Sequence, residues 1–98
     1  MPALTSSKLD SQDARLVATL HVLGDKTRFK MFRILLGKEE FCVSEIASNL
    51  GISTPAVSQH FKIFEREGLV SRDRYNQKIC YCLRKDDPLV KKLIKLIG

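Results

Sequence analysis

Three groups of side chains in this 98-residue sequence have types and spacings that could do chemistry. Cys42, Cys80 and Cys82 carry thiols, which as thiolates are nucleophiles and soft-metal ligands. Cys80 and Cys82 are two apart in a stretch of alternating character, so both would share one face of a strand. Ser53, Thr54, Ala56, Ser58, Gln59 and Lys62 cluster after a glycine turn. Their small polar and basic side chains suit hydrogen bonding to an extended acceptor surface. Arg72, Arg74, Asn76, Gln77 and Lys78 form a second donor-rich group. No Ser–His–acid set, phosphate-cradling glycine loop or two-histidine metal motif is present, so the sequence does not read as an enzyme.

These groups need elements to hold them. Residues 1–10 have no periodicity and read as a flexible arm. A helix is expected from Ser11, with Leu16, Leu20 and Leu23 on one face, stopped by Gly24. Asp25 is a good N-cap for the next helix, whose broad apolar face contains Phe29, Met31, Phe32, Leu35 and Leu36. Phe41–Val43 reads as a short extended piece. A third helix follows, with Val43, Ile46, Ala47 and Leu50 inward and Gly51 ending it. Thr54 and Pro55 open a fourth, with Val57, Phe61 and Phe64 inward. The period then changes from helical to alternating. Leu69–Ser71 begins one strand, Ile79, Tyr81 and Leu83 mark another, and residues 73–78 read as the polar turn between them. Pro88 opens a last helix with Leu89, Val90, Leu93, Ile94 and Ile97 on its apolar side.

Two short helices joined at Gly51, with Ala47 at their crossing and Val57 as anchor, have the pattern of a helix-turn-helix. In that motif the second helix enters the major groove of DNA. Its outward residues would be Thr54, Ala56, Ser58, Gln59 and Lys62, able to reach base edges, a thymine methyl or phosphates. A basic hairpin after it completes a winged helix layout. The wing would carry Arg72, Arg74, Asn76, Gln77 and Lys78 to phosphates or the minor groove. The mainly α chain would run α-α-(β)-α-α-β-β-α, with 11–98 as one domain. Within it, 43–67 would be the helix-turn-helix and 69–84 the wing. The alternative is a winged helix used for protein–protein contact.

Bulk properties agree with a nucleic-acid partner. The formal net charge is +6. From Lys26 to Lys38 there are five basic residues and no acidic one. A chain of this size buries only about 60–65 % of its unfolded surface. The stripes at 11–23 and 88–97 therefore read as dimerisation helices. A two-fold dimer would meet an imperfect palindrome in double-stranded DNA. No apolar run is long enough to cross a membrane, no signal-peptide core is visible, and an odd number of cysteines fits a reducing cytoplasm better than a closed disulfide framework.

From about Leu20 to Leu83 the chain resembles the ArsR/SmtB family of winged-helix repressors. The resemblance is carried by Leu23-Gly24-Asp25-Lys26-Thr27-Arg28, by Glu40 to Ala47, by Ile52 to Lys62, by Glu67-Gly68-Leu69-Val70 and by Cys80-Tyr81-Cys82-Leu83. It implies a dimer built from the first and last helices, repression at an operator, and release by an inducer.

The chain departs from the family at its known metal sites. One such site uses two cysteines in a C-V-C segment, where this chain has Cys42-Val43-Ser44. Another uses Asp and His pairs on the last helix, where this chain has Asp86 and Asp87, read as solvated surface acids, and no histidine. His60 reads as a packed residue hydrogen-bonded locally, and His21 as a surface or dimer-side residue. In winged-helix domains the strand before the helix-turn-helix pairs with the wing, so Cys42 could lie across from Cys80 or Cys82. Three converging thiolates would suit As(III), Cd(II) or Cu(I), or a thiol redox switch. The competing readings are that the cysteines are small core residues, or that the repressor has no inducer site.

Overall fold

The computed structural model describes residues 8–98; residues 1–7, most of the expected arm, lie outside the described residues. Among the described residues five helices and three short strands follow in order: α1 (Ser11–Leu23), α2 (Lys26–Leu35), β1 (Phe41–Cys42), α3 (Val43–Leu50), α4 (Thr54–Arg66), β2 (Val70–Tyr75), β3 (Lys78–Leu83) and α5 (Pro88–Ile97). The strands form one antiparallel sheet in the order β1-β3-β2. This is a winged helix-turn-helix.

Capping chemistry sets the helix starts. Asp10, Asp25, Ser53 and Asp87 each accept first-turn amides from their own helix, supplying partners for donors that would otherwise be unsatisfied. Gly51 ends α3 at φ 67°, a conformation that disfavours any residue with a Cβ. Val43 belongs to α3 rather than to the extended piece, and Cys42 stands at its N-cap position.

The core gathers one stripe from every element. Met31, Phe32, Ile46, Val57, Phe61, Phe64, Leu69 and Val90 are fully buried. The Phe61 ring stacks on Tyr81, with centroids 4.1 Å apart and planes 8° from parallel. That contact fixes the sheet against α4. Burial raises the Tyr81 phenol above its ordinary pKa.

Two expectations change. Residues 73–78 are mostly strand: Arg72 pairs with Tyr81, Asp73 with Cys80, Arg74 with Ile79 and Tyr75 with Lys78, leaving a two-residue turn at Asn76-Gln77. Asn76 takes a left-handed φ of 57°, which asparagine tolerates better than most residues. Polar side chains disguised the strand because its outer residues meet solvent on both faces near the tip. Asp87 is also not simply solvated. Its carboxylate caps α5 and pairs with Arg15 of α1 at 3.0 Å. The Arg15 guanidinium, followed by the capped amides of Leu89 and Val90, holds its pKa below the usual carboxylate value.

α1 and α5 leave an apolar surface. Leu16, Val17, Leu20 and Leu96 are exposed, Leu96 by 79 %. Leu16 and Leu20 line a groove with Leu89, Leu93 and Leu96. Val90 is instead committed to this chain's own core, and Leu93, largely buried there, reaches the groove with its edge.

Candidate nucleic-acid interface and cysteine pair

The exposed side of α4 is held by what lies beneath it. Val57, Phe61 and Phe64 have no exposed surface, so the helix cannot roll without opening the core. Thr54, Gln59 and Lys62 are consequently exposed, while Ala56 and Ser58 are half-buried. Neither Ser58 nor Gln59 is occluded. The Ser53 hydroxyl is engaged as the helix cap, accepting from the Ala56 amide at 3.2 Å.

A cleft of about 340 Å³ separates the start of α4 from the tip of the sheet. Its lining combines Thr54 and Ser58 of α4, Ser44 of α3, Gln77 and Lys78 of the hairpin, and Cys42. Hydroxyls, an amide and one ammonium converge there with no carboxylate among the lining side chains. In the sequence Ser44 stands out only as the residue in place of a family cysteine, and not as part of this face, because a serine in the first turn of a helix has no distinguishing pattern.

The hairpin cations are not equivalent. Arg72, Arg74, Asn76, Gln77 and Lys78 are all exposed. Arg72 points back to α4, where its Nε lies 3.6 Å from Glu65. Arg74 donates through Nε to the Asn76 carbonyl at 3.2 Å, bracing the turn. Lys78 opens onto the cleft. The Tyr75 hydroxyl donates to Glu40 at 3.1 Å, tying the hairpin to the segment before β1, and that carboxylate raises the phenol's pKa. Such tertiary ties cross 35 residues of sequence and leave no local signature.

His60 is half-buried, with Nδ1 3.5 Å from Arg28, whose Nε donates to the Val22 carbonyl at 2.7 Å. Arg28 thereby joins the end of α1 to α4. Asp25 is held below its ordinary pKa first by the Arg28 amide that it caps, then by the Arg28 and His60 charges. His21 is exposed.

The register puts Cys42 opposite Cys80, and the two form a disulfide. This links residues 38 apart. The odd cysteine count argued only against a complete framework; strand register decided that one bridge forms. Cys82 remains free, half-buried, with its sulfur 3.2 Å from the Ser71 hydroxyl across β2. The three sulfurs therefore do not form a three-thiolate set. Among the described residues no group of three or more His, Cys, Asp or Glu side chains is arranged to hold a metal ion. The bridged pair offers no thiolate, so this donor set does not fit a soft ion.

Among the described residues no helix is long and apolar enough to cross a membrane. Residues 25–72 match the family described as bacterial regulatory protein, arsR family. The transcriptional activator HlyU of Vibrio cholerae is 30 % identical over 102 residues, covering 99 % of this chain and 92 % of that protein. A solved structure of HlyU from Vibrio cholerae superposes with a TM-score of 0.80 at 30 % identity, over 91 % of this chain and 94 % of that one. The AntR antimony-specific transcriptional repressor is 26 % identical, with a TM-score of 0.72, covering 98 % of this chain and 86 % of that one. At 20 % identity, the homodimeric winged helix-turn-helix domain Mb0332 of Mycobacterium bovis shares the fold, with a TM-score of 0.73 over 95 % of this chain and 86 % of that one.

Proposed function

This chain belongs to the arsR family of bacterial regulatory proteins, and from that membership we propose that it is a homodimeric, sequence-specific DNA-binding repressor whose hold on its operator is controlled at thiols. The observation that carries the DNA-binding part is the cleft geometry. A helix anchored by its buried face presents Thr54 and Ser58 beside Lys78 and Gln77 of the hairpin, with Gln59 exposed on the same helix. Gln59 is the side chain suited to a bidentate contact with an adenine edge, and Ser58 and Ala56 to shorter-range contacts. Ser53, Thr54, Lys62, Arg72, Arg74, Asn76, Gln77 and Lys78 position the protein on phosphates, with Arg72 having to leave Glu65 to do so.

The dimer is formed through α1 and α5. Support comes from the exposed Leu16, Leu20 and Leu96 around one apolar groove, and from the homodimeric state of Mb0332. Two copies would present two recognition helices to half-sites about one helical turn apart, or a small multiple of it. AntR is a repressor and HlyU an activator, and the repressor role follows the former. Thiol control rests on Cys42, which borders the cleft and is bonded to Cys80 of the adjoining strand.

A salt-titrated gel shift on duplex DNA tests this reading. Each phosphate contact releases counterions, so log affinity must fall linearly with log salt. Affinity for duplex that ignores salt, or none at all, overturns it and favours a protein partner for the same face.

A further inference from the structure

The two bridged sulfurs differ in what can reach them. Cys80 is 1 % exposed, packed in the sheet's central strand. Cys42 is half-buried and lines the open cleft with Ser44, Thr54, Ser58 and Lys78. A solute entering from solvent meets only Cys42. Once reduced, Cys42 also has the better setting for a thiolate: it stands at the N-cap of the eight-residue α3, with the Lys78 ammonium in the same cleft. Glu45, the opposing charge at that helix end, is already engaged by Lys38 at 2.8 Å and by the Cys42 amide at 3.0 Å. These contacts hold its pKa below the ordinary value, the amide contributing most.

We infer that Cys42 is the site of oxidation by a hydroperoxide and that Cys80 is the resolving thiol, an assignment that deepens the thiol-control part of the proposed function and rests on it. The Cys42 thiolate attacks the terminal oxygen of the peroxide. An S–O bond forms, the O–O bond breaks, and the departing hydroxide or alkoxide takes up a proton. Cys42 is then a sulfenic acid, oxidised by two electrons, and the peroxide is reduced. The Cys80 sulfur next attacks Cys42 Sγ; the S–S bond forms, the S–O bond breaks, and hydroxide leaves as water with the Cys80 proton. The cleft suits a small polar oxidant. Its volume is about 340 Å³ and its hydroxyls can hold the peroxide oxygens. Cys82 takes no part, because its register partner is Ser71 and not Cys42.

The full chain is reduced with a dithiol, freed of it, and treated with hydrogen peroxide with and without a dimedone-type sulfenic acid trap. Peptide mass spectrometry then locates the changes. Wild type and Cys82→Ser are expected to regain the Cys42–Cys80 bridge. Cys80→Ser should accumulate the trapped adduct on Cys42. Cys42→Ser should lose both bridge and adduct, and Cys42→Ala checks that the hydroxyl is not responsible. An adduct on Cys80 or Cys82, or a bridge formed only with a low-molecular-weight disulfide, overturns the assignment. Duplex binding measured on the same samples separates the two levels. Correct mapping with no DNA binding in either redox state refutes the regulator reading and leaves the sulfur chemistry standing; wrong mapping with intact DNA binding does the reverse.

Discussion

α4 and the β2–β3 hairpin border the same cleft but are built on opposite principles. The helix rests on side chains with no exposed surface, and its start is set by the Ser53 cap and Pro55. Of the six residues in β2 only Val70 is buried, and its outer half is held by surface bonds such as Tyr75 to Glu40 and Arg74 to Asn76. A group that reads base edges must be placed to within a fraction of an ångström, so it belongs on a rigid element. A group that meets a phosphate needs mainly charge and reach, so it can sit on an arm. Under the proposed function, the pair separates selectivity from general affinity.

The largest effect should come from the buried side of the helix. Phe61→Ala removes a fully buried ring stacked on Tyr81 and should cost about 3–5 kcal/mol in urea unfolding, since both transfer energy and a cavity are involved. A loss near zero would mean that α4 is not held as described. Next comes a paired comparison on DNA. Gln59→Ala should erase about 1–3 kcal/mol of preference for operator over random duplex, whereas Lys78→Ala should weaken both alike and lower the salt slope by about 1. Equal losses on both duplexes for Gln59→Ala would dissolve the division of labour.

Gly51→Ala tests the hinge of the frame. There is open space for the new methyl, so its cost should be the left-handed backbone alone, roughly 1–2 kcal/mol by thermal or urea denaturation. The smallest effect is expected in the arm. Tyr75→Phe removes an exposed hydroxyl, and the unfolding midpoint should stay within error of wild type. In ultraviolet titration it should abolish a phenol that ionises above the ordinary value of 10.0, the direction set by the Glu40 bond. A large drop in stability would make the hairpin part of the frame after all.

Most element boundaries were legible in the chain because they rest on local chemistry. Asp25 caps, Gly51 turns, Pro55 and Pro88 start helices, and the apolar period changes after Gly68. The winged-helix class and the exposure of Thr54, Gln59 and Lys62 followed from the same signals, while Ala56 and Ser58 of that set are half-buried. The extent of β2 did not, since Asp73 to Tyr75 read as loop until cross-strand partners were supplied. Nor did the employment of Asp87 by Arg15 or of Arg72 by Glu65.

Periodicity and capping depend on neighbours within one or two turns, and a linear chain displays those in full. Register is different: it is chosen by the packing of Phe61 on Tyr81 and by where β1 is delivered. Sequence therefore offered Cys42 a choice between Cys80 and Cys82. Only the assembled sheet selected Cys80, buried one of the two sulfurs, and left the other facing the cleft beside α4.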